Sequence, residues 1–190
     1  MEAEKNVLAI SGSTRKASTN LNLINAIAAL SATKLSIRIY NELAVLPHYN
    51  PDLDTDNPPA SVTYLRQLIR EADGVLICTP EYAMGVPGTL KNALDWTVSS
   101  CEFSHKPVAL ITASTSGEKA HQSLLGTLNV IEAKIGKQCE LLIQFAKTKV
   151  NDKNEITDEK TLIYIRELIA SFIETINEKE AEVELLNKKA

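Results

Sequence analysis

Short apolar runs alternate along this chain with longer stretches in which apolar residues return every third or fourth position. The short runs fall at residues 7–10, 35–40, 74–78, 108–112 and 140–145. Runs that apolar and that short predict strands buried on both faces. The longer stretches predict helices. Leu21, Ile24 and Ala28 mark the first, Val62, Leu65, Leu68 and Ile69 the second, and Leu90, Leu94 and Val98 the third. Leu124, Leu128, Ile131 and Ile135 mark the fourth. A last helix opens at Thr157 and Asp158, which suit a cap, and carries Leu162, Ile165, Ile169, Phe172 and Ile176 on one stripe.

Strand and helix alternate throughout, and right-handed crossovers put helices on both faces of a parallel sheet. The expected fold is therefore a flavodoxin-like α/β three-layer sandwich on a five-stranded parallel sheet of order 2-1-3-4-5. Sheets of this kind bind ligands beyond the carboxyl ends of their strands, where the winding reverses. That directs attention to the loops after strands one, three and four. We expect one flavodoxin-like domain over residues 1–176 and a charged helical tail over 177–190 with a frayed, solvated end. Residues 41–59, with four prolines among Asp and Asn, form a long connection of the kind that serves as a lid or an interface arm.

Composition narrows the function classes. Hydrophobic residues make up 44% of the 190, enough for a sizeable core. The net charge of -4, with Lys and Arg scattered, offers no basic face for nucleic acid. No stretch approaches the roughly 20 apolar residues of a membrane span. Cys78, Cys101 and Cys139 are widely spaced and form no CxxC pair, which disfavours a disulfide framework or structural zinc and suits a reducing, cytoplasmic setting. No GxSxG elbow occurs, and His48, His105 and His121 lie near no evident nucleophile, which disfavours a hydrolase.

Three loops carry candidate chemistry. After the first strand, Ser11-Gly12-Ser13-Thr14-Arg15 leads through Ser18, Thr19 and Asn20 into a helix. A small-residue turn ending at a helix N-terminus suits a phosphate group, which the hydroxyls and the Arg15 fork would hold. Lacking the Walker Lys and hydroxyl pair, the loop fits a monophosphate better than a triphosphate. The competing reading is that Ser18 or Thr19 simply caps the helix. After the third strand, Pro80-Glu81-Tyr82-Ala83-Met84-Gly85 precedes Pro87-Gly88-Thr89-Leu90-Lys91-Asn92-Ala93-Leu94-Asp95-Trp96. Prolines stiffen this loop and glycines allow close approach, a shape suited to lying against something flat. Trp96 reads as packing, and Lys91 with Asp95 as an exposed ion pair four residues apart. After the fourth strand, Ser114, Thr115, Ser116 and Gly117 offer amides and hydroxyls, with a helix cap as the alternative role for Ser116 and a helix-start role for His121.

The GSTR loop with Ser18 and Asn20, together with the PEY and PGTLKNALDW segments, resembles the NADPH-dependent FMN reductase family of flavodoxin-like proteins. The resemblance implies that Ser11, Ser13, Arg15, Ser18, Thr19 and Asn20 surround an FMN phosphate. It further implies that Pro80, Glu81 and Tyr82 contact the ribityl chain and ring, and that the loop with Ser114, Thr115, Ser116 and Gly117 touches the ring. The resemblance places Ala83, Met84 and Gly85 among the ring contacts too, and there the chain departs from the family: Ala83 stands where Asn is usual, and Met84 and Gly85 where a larger or hydroxylated residue is common; Lys119-Ala120-His121 likewise replaces a Gly-Gly pair.

The implied activity is an FMN-dependent NAD(P)H oxidoreductase. Electrons pass from NADPH or NADH to a small acceptor: a quinone, an azo compound, a metal oxyanion or free flavin. No side chain is assigned a catalytic role and no metal is expected, because the chemistry belongs to the flavin. A homodimer or homotetramer is implied as well. Two alternatives stay open: a flavodoxin-type electron carrier, and a regulatory α/β domain without cofactor.

Overall fold

The computed structural model describes residues 3–188. In chain order the elements are β1 (Lys5–Ser11), α1 (Thr19–Ser31), β2 (Leu35–Tyr40), α2 (Ala60–Glu71), β3 (Gly74–Thr79), α3 (Gly88–Asp95), β4 (Pro107–Ala113), α4 (Glu118–Val130), β5 (Lys134–Ile143) and α5 (Glu159–Asn187). The five strands form one parallel sheet of order β2-β1-β3-β4-β5, the order expected of the flavodoxin-like arrangement.

Successive strand residues point to opposite faces, so each central strand feeds two cores. Leu8, Ile10, Val75, Ile77, Val108 and Leu110 pack with α2, α3 and α4 on one face. Val7, Ala9, Leu76, Cys78, Ala109 and Ile111 pack with α1 and α5 on the other. Every residue of β3 and β4 is buried, which explains why those strands read as unbroken apolar runs.

Several boundaries differ from the sequence expectation. α4 ends at Val130, and Ile135 lies in β5 opposite Val108 rather than on a helical stripe. β5 begins six residues earlier than the run at 140–145 suggests, because it carries a bulge: five steps from Ile135 to Glu140 face two from Val108 to Leu110. Phe145 falls beyond that strand. α3 stops at Asp95, leaving Val98 outside it and exposed. In α1 the buried face is Leu23, Ile24 and Ile27, with Leu21 and Ala28 only half-buried.

Asp158 caps α5, its carboxylate accepting from Thr161 N at 2.8 Å. The helix then continues to Asn187, with Val183, Leu185 and Leu186 of the charged tail exposed. Lys5 pairs with Glu180 and Lys134 with Glu182 along the way. The last two residues of the expected tail lie outside the described residues. No helix among the described residues is long and apolar enough to cross a membrane.

The connection from β2 to α2 holds two short 3-10 turns and is fastened down rather than free to swing. Asn92 Nδ2 and Trp96 Nε1 both donate to Pro47 O, and Asn92 Oδ1 accepts from Tyr49 N. Asp54 pairs with Arg66, both side chains being buried. Trp96 and Asn92 therefore serve packing and loop anchorage, and Lys91 with Asp95 forms the expected i,i+4 pair.

Candidate active site

The carboxyl ends of β1, β3, β4 and β5 open into one cleft of about 710 Å³, within the size range of small-molecule and cofactor sites. Its first wall is the loop from β1 to α1. Gly12 starts that loop because nothing larger fits. Its N–H donates to Cys78 O at 2.8 Å, and a Cβ there would sit 2.2 Å from Thr79 Oγ1. Ser13 Oγ lies 3.4 Å from both Tyr82 OH and Arg15 N. Ser11 turns its hydroxyl to Ser13 O at 3.2 Å and does not line the cleft.

Ser18 occupies the N-cap of α1 but makes no capping bond through its side chain, and the first turn holds no acidic residue. The cap-only reading of Ser18 is thereby removed. α1 presents its free N–H groups and positive end to the cleft, beside the Arg15 guanidinium and the Ser13 and Thr19 hydroxyls. This donor set, cationic and rich in hydroxyls, fits a phosphate monoester such as that of FMN. Asn20 lines the cleft as well and also anchors the loop. Its Nδ2 donates to Ala113 O at 3.1 Å and its Oδ1 accepts from Cys78 Sγ at 3.3 Å, locking the start of α1 to β3 and β4. Burial pushes the Cys78 thiol far up, so it stays protonated.

The second wall is the loop after β3. Pro80 and Glu81 line the cleft, and the exposed Tyr82 ring lies at its edge. Tyr82 and Gly85 exchange two backbone hydrogen bonds of 3.0 Å, closing a two-residue turn. Ala83 (φ 47°) and Met84 (φ 61°) occupy its centre. Such a turn favours Asn-Gly, so two ordinary side chains here store backbone strain. Ala83, Met84 and Gly85 do not line the cleft.

Glu81 reaches across to the third wall. Its carboxylate accepts from Gly117 N at 3.3 Å and from Ala120 N at 3.0 Å, capping α4 in place of a residue that has no side chain. Gly117 is required at that N-cap. Its φ is 97°, and a Cβ would sit 2.8 Å from Leu142 Cδ1. Ser116 is therefore not the cap. Ser114 and Thr115 line the cleft, whereas Ser116 and Gly117 do not. His121 sits in the first turn of α4 with Nδ1 2.9 Å from Thr112 Oγ1, and burial lowers its pKa.

Sequence reasoning missed the fourth wall. Phe145, Ala146, Lys147 and Thr148 follow β5 and line the cleft with Val150 and Asp152. Phe145 N donates to Thr115 O and Ala146 N to Ser114 O, tying this segment to the loop after β4. Phe145 has φ 52° and is 62% exposed, unusual for a bulky residue. The general rule that ligands sit beyond carboxyl strand ends covers β5 as well and was the available signal.

A parallel sheet of this order, with an anion-ready helix end at the β1 switch point and an exposed aromatic ring on the next loop, defines the flavodoxin-like flavin-binding class. Comparison with known proteins agrees. The family model for NADPH-dependent FMN reductase matches residues 5–148. A 2-hydroxy-1,4-benzoquinone reductase of a Burkholderia species is 30% identical over 179 residues, covering 91% of this chain and 97% of the relative. An NAD(P)H-dependent FMN reductase of Pseudomonas aeruginosa is 32% identical over 181 residues, covering 93% and 95%. The solved structure of FerB, a flavoenzyme NAD(P)H:(acceptor) oxidoreductase from Paracoccus denitrificans, aligns with TM-score 0.81 at 31% identity, covering 92% of this chain and 98% of that one. This chain belongs to the NADPH-dependent FMN reductase family, and it is an NAD(P)H-dependent oxidoreductase that uses FMN.

Proposed function

We propose that this protein reduces quinones, with FMN held by its phosphate at the N-terminus of α1 and by its ring beside Tyr82. The supporting observation is the continuity of the cleft from the uncapped α1 end and Arg15 to the exposed Tyr82 and Phe145 rings. The curated relatives named for quinone reduction support the choice of acceptor.

Bound FMN would supply the chemistry of accepting a hydride from a nicotinamide and passing electrons onward. The chain's contribution is placement. Arg15, Ser13, Ser18 and Thr19 bind the phosphate, while Pro80, Ser114 and Thr115 shape the ring end. Glu81 fixes the loops after β3 and β4 relative to one another through the α4 cap. Tyr82 and Phe145 leave an open aromatic approach on which nicotinamide and quinone stack in turn. No acidic or basic side chain is assigned proton transfer. A cytoplasmic homodimer or homotetramer completes the proposal, in keeping with three free cysteines and the general habit of symmetric association.

The test is steady-state NADPH oxidation by the FMN-loaded protein with p-benzoquinone. Turnover with parallel double-reciprocal lines is expected, since both substrates use one approach in succession. Absence of quinone-dependent oxidation with either nicotinamide refutes the proposal.

A further inference from the structure

Phe145 is held in a backbone conformation that a bulky residue rarely adopts. Its φ of 52° lies in the left-handed region, which is disfavoured for any residue with a Cβ. Burial of the ring does not repay that strain, because the residue is 62% exposed. The neighbours impose it. Phe145 N donates to Thr115 O at 3.2 Å and Ala146 N to Ser114 O at 3.0 Å, while Phe145 O accepts from Thr148 N at 2.9 Å and from Thr148 Oγ1 at 2.8 Å. These hydrogen bonds fix the backbone, and the ring stands where they put it. Glycine would take the same conformation without the Cβ clash. A strained residue at the wall of a ligand cleft is the kind of outlier from which a use for its side chain is inferred.

The surroundings define that use. Ser114 and Thr115 follow β4 and line the cleft, with Tyr82 on the loop after β3 and Phe145 directly after β5. Because β3 and β5 are the two neighbours of β4, Tyr82 and Phe145 flank the Ser114-Thr115 floor from opposite sides, two strand spacings or roughly 10 Å apart in backbone. β5 is also three strands away from β1, whose loop carries the cationic, hydroxyl-rich donor set. Phe145 therefore belongs to the ring end of the cleft and keeps an open face there. A nicotinamide dinucleotide spreads its contacts over two riboses, two phosphates and an adenine, whereas a quinone offers little besides its ring. One aromatic wall thus carries a larger share of the binding energy of the acceptor than of the donor. Stacking and apolar burial both grow with the area covered, so such a wall favours two fused rings over one.

We propose that Phe145 is the acceptor-specificity residue of this protein and that it selects bicyclic quinones of the naphthoquinone type over monocyclic benzoquinones. The inference rests on the quinone-reductase reading above and names the acceptor class within it.

The test compares kcat/KM for 1,4-naphthoquinone, p-benzoquinone and NADPH in FMN-loaded wild type, Phe145→Gly and Phe145→Tyr. Comparing one acceptor between enzymes cancels the different intrinsic reactivities of the two quinones. Phe145→Gly is expected to lose about tenfold for naphthoquinone, about threefold for benzoquinone and about twofold at most for NADPH. Phe145→Tyr keeps a stacking ring and should stay within about twofold of wild type for both quinones. FMN content should be the same in all three proteins. The urea midpoint of flavin-free Phe145→Gly should not fall, since relief of the left-handed strain offsets the larger entropy of glycine in the unfolded chain. Equal losses for the two quinones overturn the inference. A loss shared by quinones and NADPH together with a lower urea midpoint makes the ring a packing group and also overturns it, and loss of FMN assigns the ring to the flavin instead. In each of these cases quinone turnover by wild type leaves the quinone-reductase reading standing. A wild type that turns over neither quinone strikes that reading, and this inference with it.

Discussion

Replacing Glu81 separates a structural carboxylate from a ligand contact. In the fold this carboxylate accepts from Gly117 N and Ala120 N, the N-cap and third-position amides of a helix whose own cap residue has no side chain. Losing an N-cap side chain costs about 0.5–2 kcal/mol, and losing a negative charge at a helix N-terminus about 0.3–1 kcal/mol more. Glu81→Ala should therefore destabilise the flavin-free protein by about 2 kcal/mol, a Tm drop of roughly 4–8 °C for a domain of this size. Glu81→Gln keeps one acceptor oxygen and loses the charge, and should cost about 1 kcal/mol. FMN affinity should fall in both, because the loops after β3 and β4 lose their mutual register. Urea unfolding of the flavin-free protein, followed by circular dichroism, measures the first effect, and flavin fluorescence quenching the second. If Glu81→Ala unfolds at the same urea midpoint as wild type while FMN binding weakens, the carboxylate acts on the ligand and the capping argument is wrong.

The Ala83-Met84 turn predicts a gain in stability. A non-glycine residue at φ 61° is strained, so Met84→Gly should stabilise by about 0.5–1 kcal/mol even after the larger entropy of glycine in the unfolded chain. A lower urea midpoint would contradict this. His121 gives a pH dependence. Burial lowers its pKa below the ordinary value near 6.5, although Glu140 opposes this, so the unfolded chain takes up the proton first as pH falls. Its contribution is intact above about pH 6.5 and is lost as pH drops through the folded pKa. The stability difference between wild type and His121→Gln should thus shrink from pH 7 to pH 5. A difference constant across that range rules out a buried neutral imidazole.

The strands and both helical layers follow from residues that could be read directly, whereas the strand order came only with the fold class. Val75 through Cys78 and Val108 through Thr112 are buried on both faces and so are apolar at every position up to the closing Thr. β5 was only half legible. Its bulge places Lys137 and Gln138 inside the strand, which breaks the apolar run that marks the others. Ile135 then joined a helical stripe by spacing alone.

In the site, the loops after β1, β3 and β4 announced themselves because each follows a buried run and is rich in hydroxyls, prolines or glycines. Phe145 did not. Its position depends on a left-handed backbone and on hydrogen bonds to Ser114 and Thr115, some thirty residues earlier in the chain. The Glu81 cap and the Asn20 lock are tertiary in the same way, linking residues 36 to 93 positions apart. No local pattern encodes them.

The most direct test of the central claim is an anaerobic absorbance titration of the purified protein after loading with FMN and gel filtration. The account predicts that the visible flavin band is retained on the protein, bleaches on addition of NADPH and returns on addition of p-benzoquinone. A protein that leaves the column colourless, or whose band persists under excess NADPH and NADH, contradicts it.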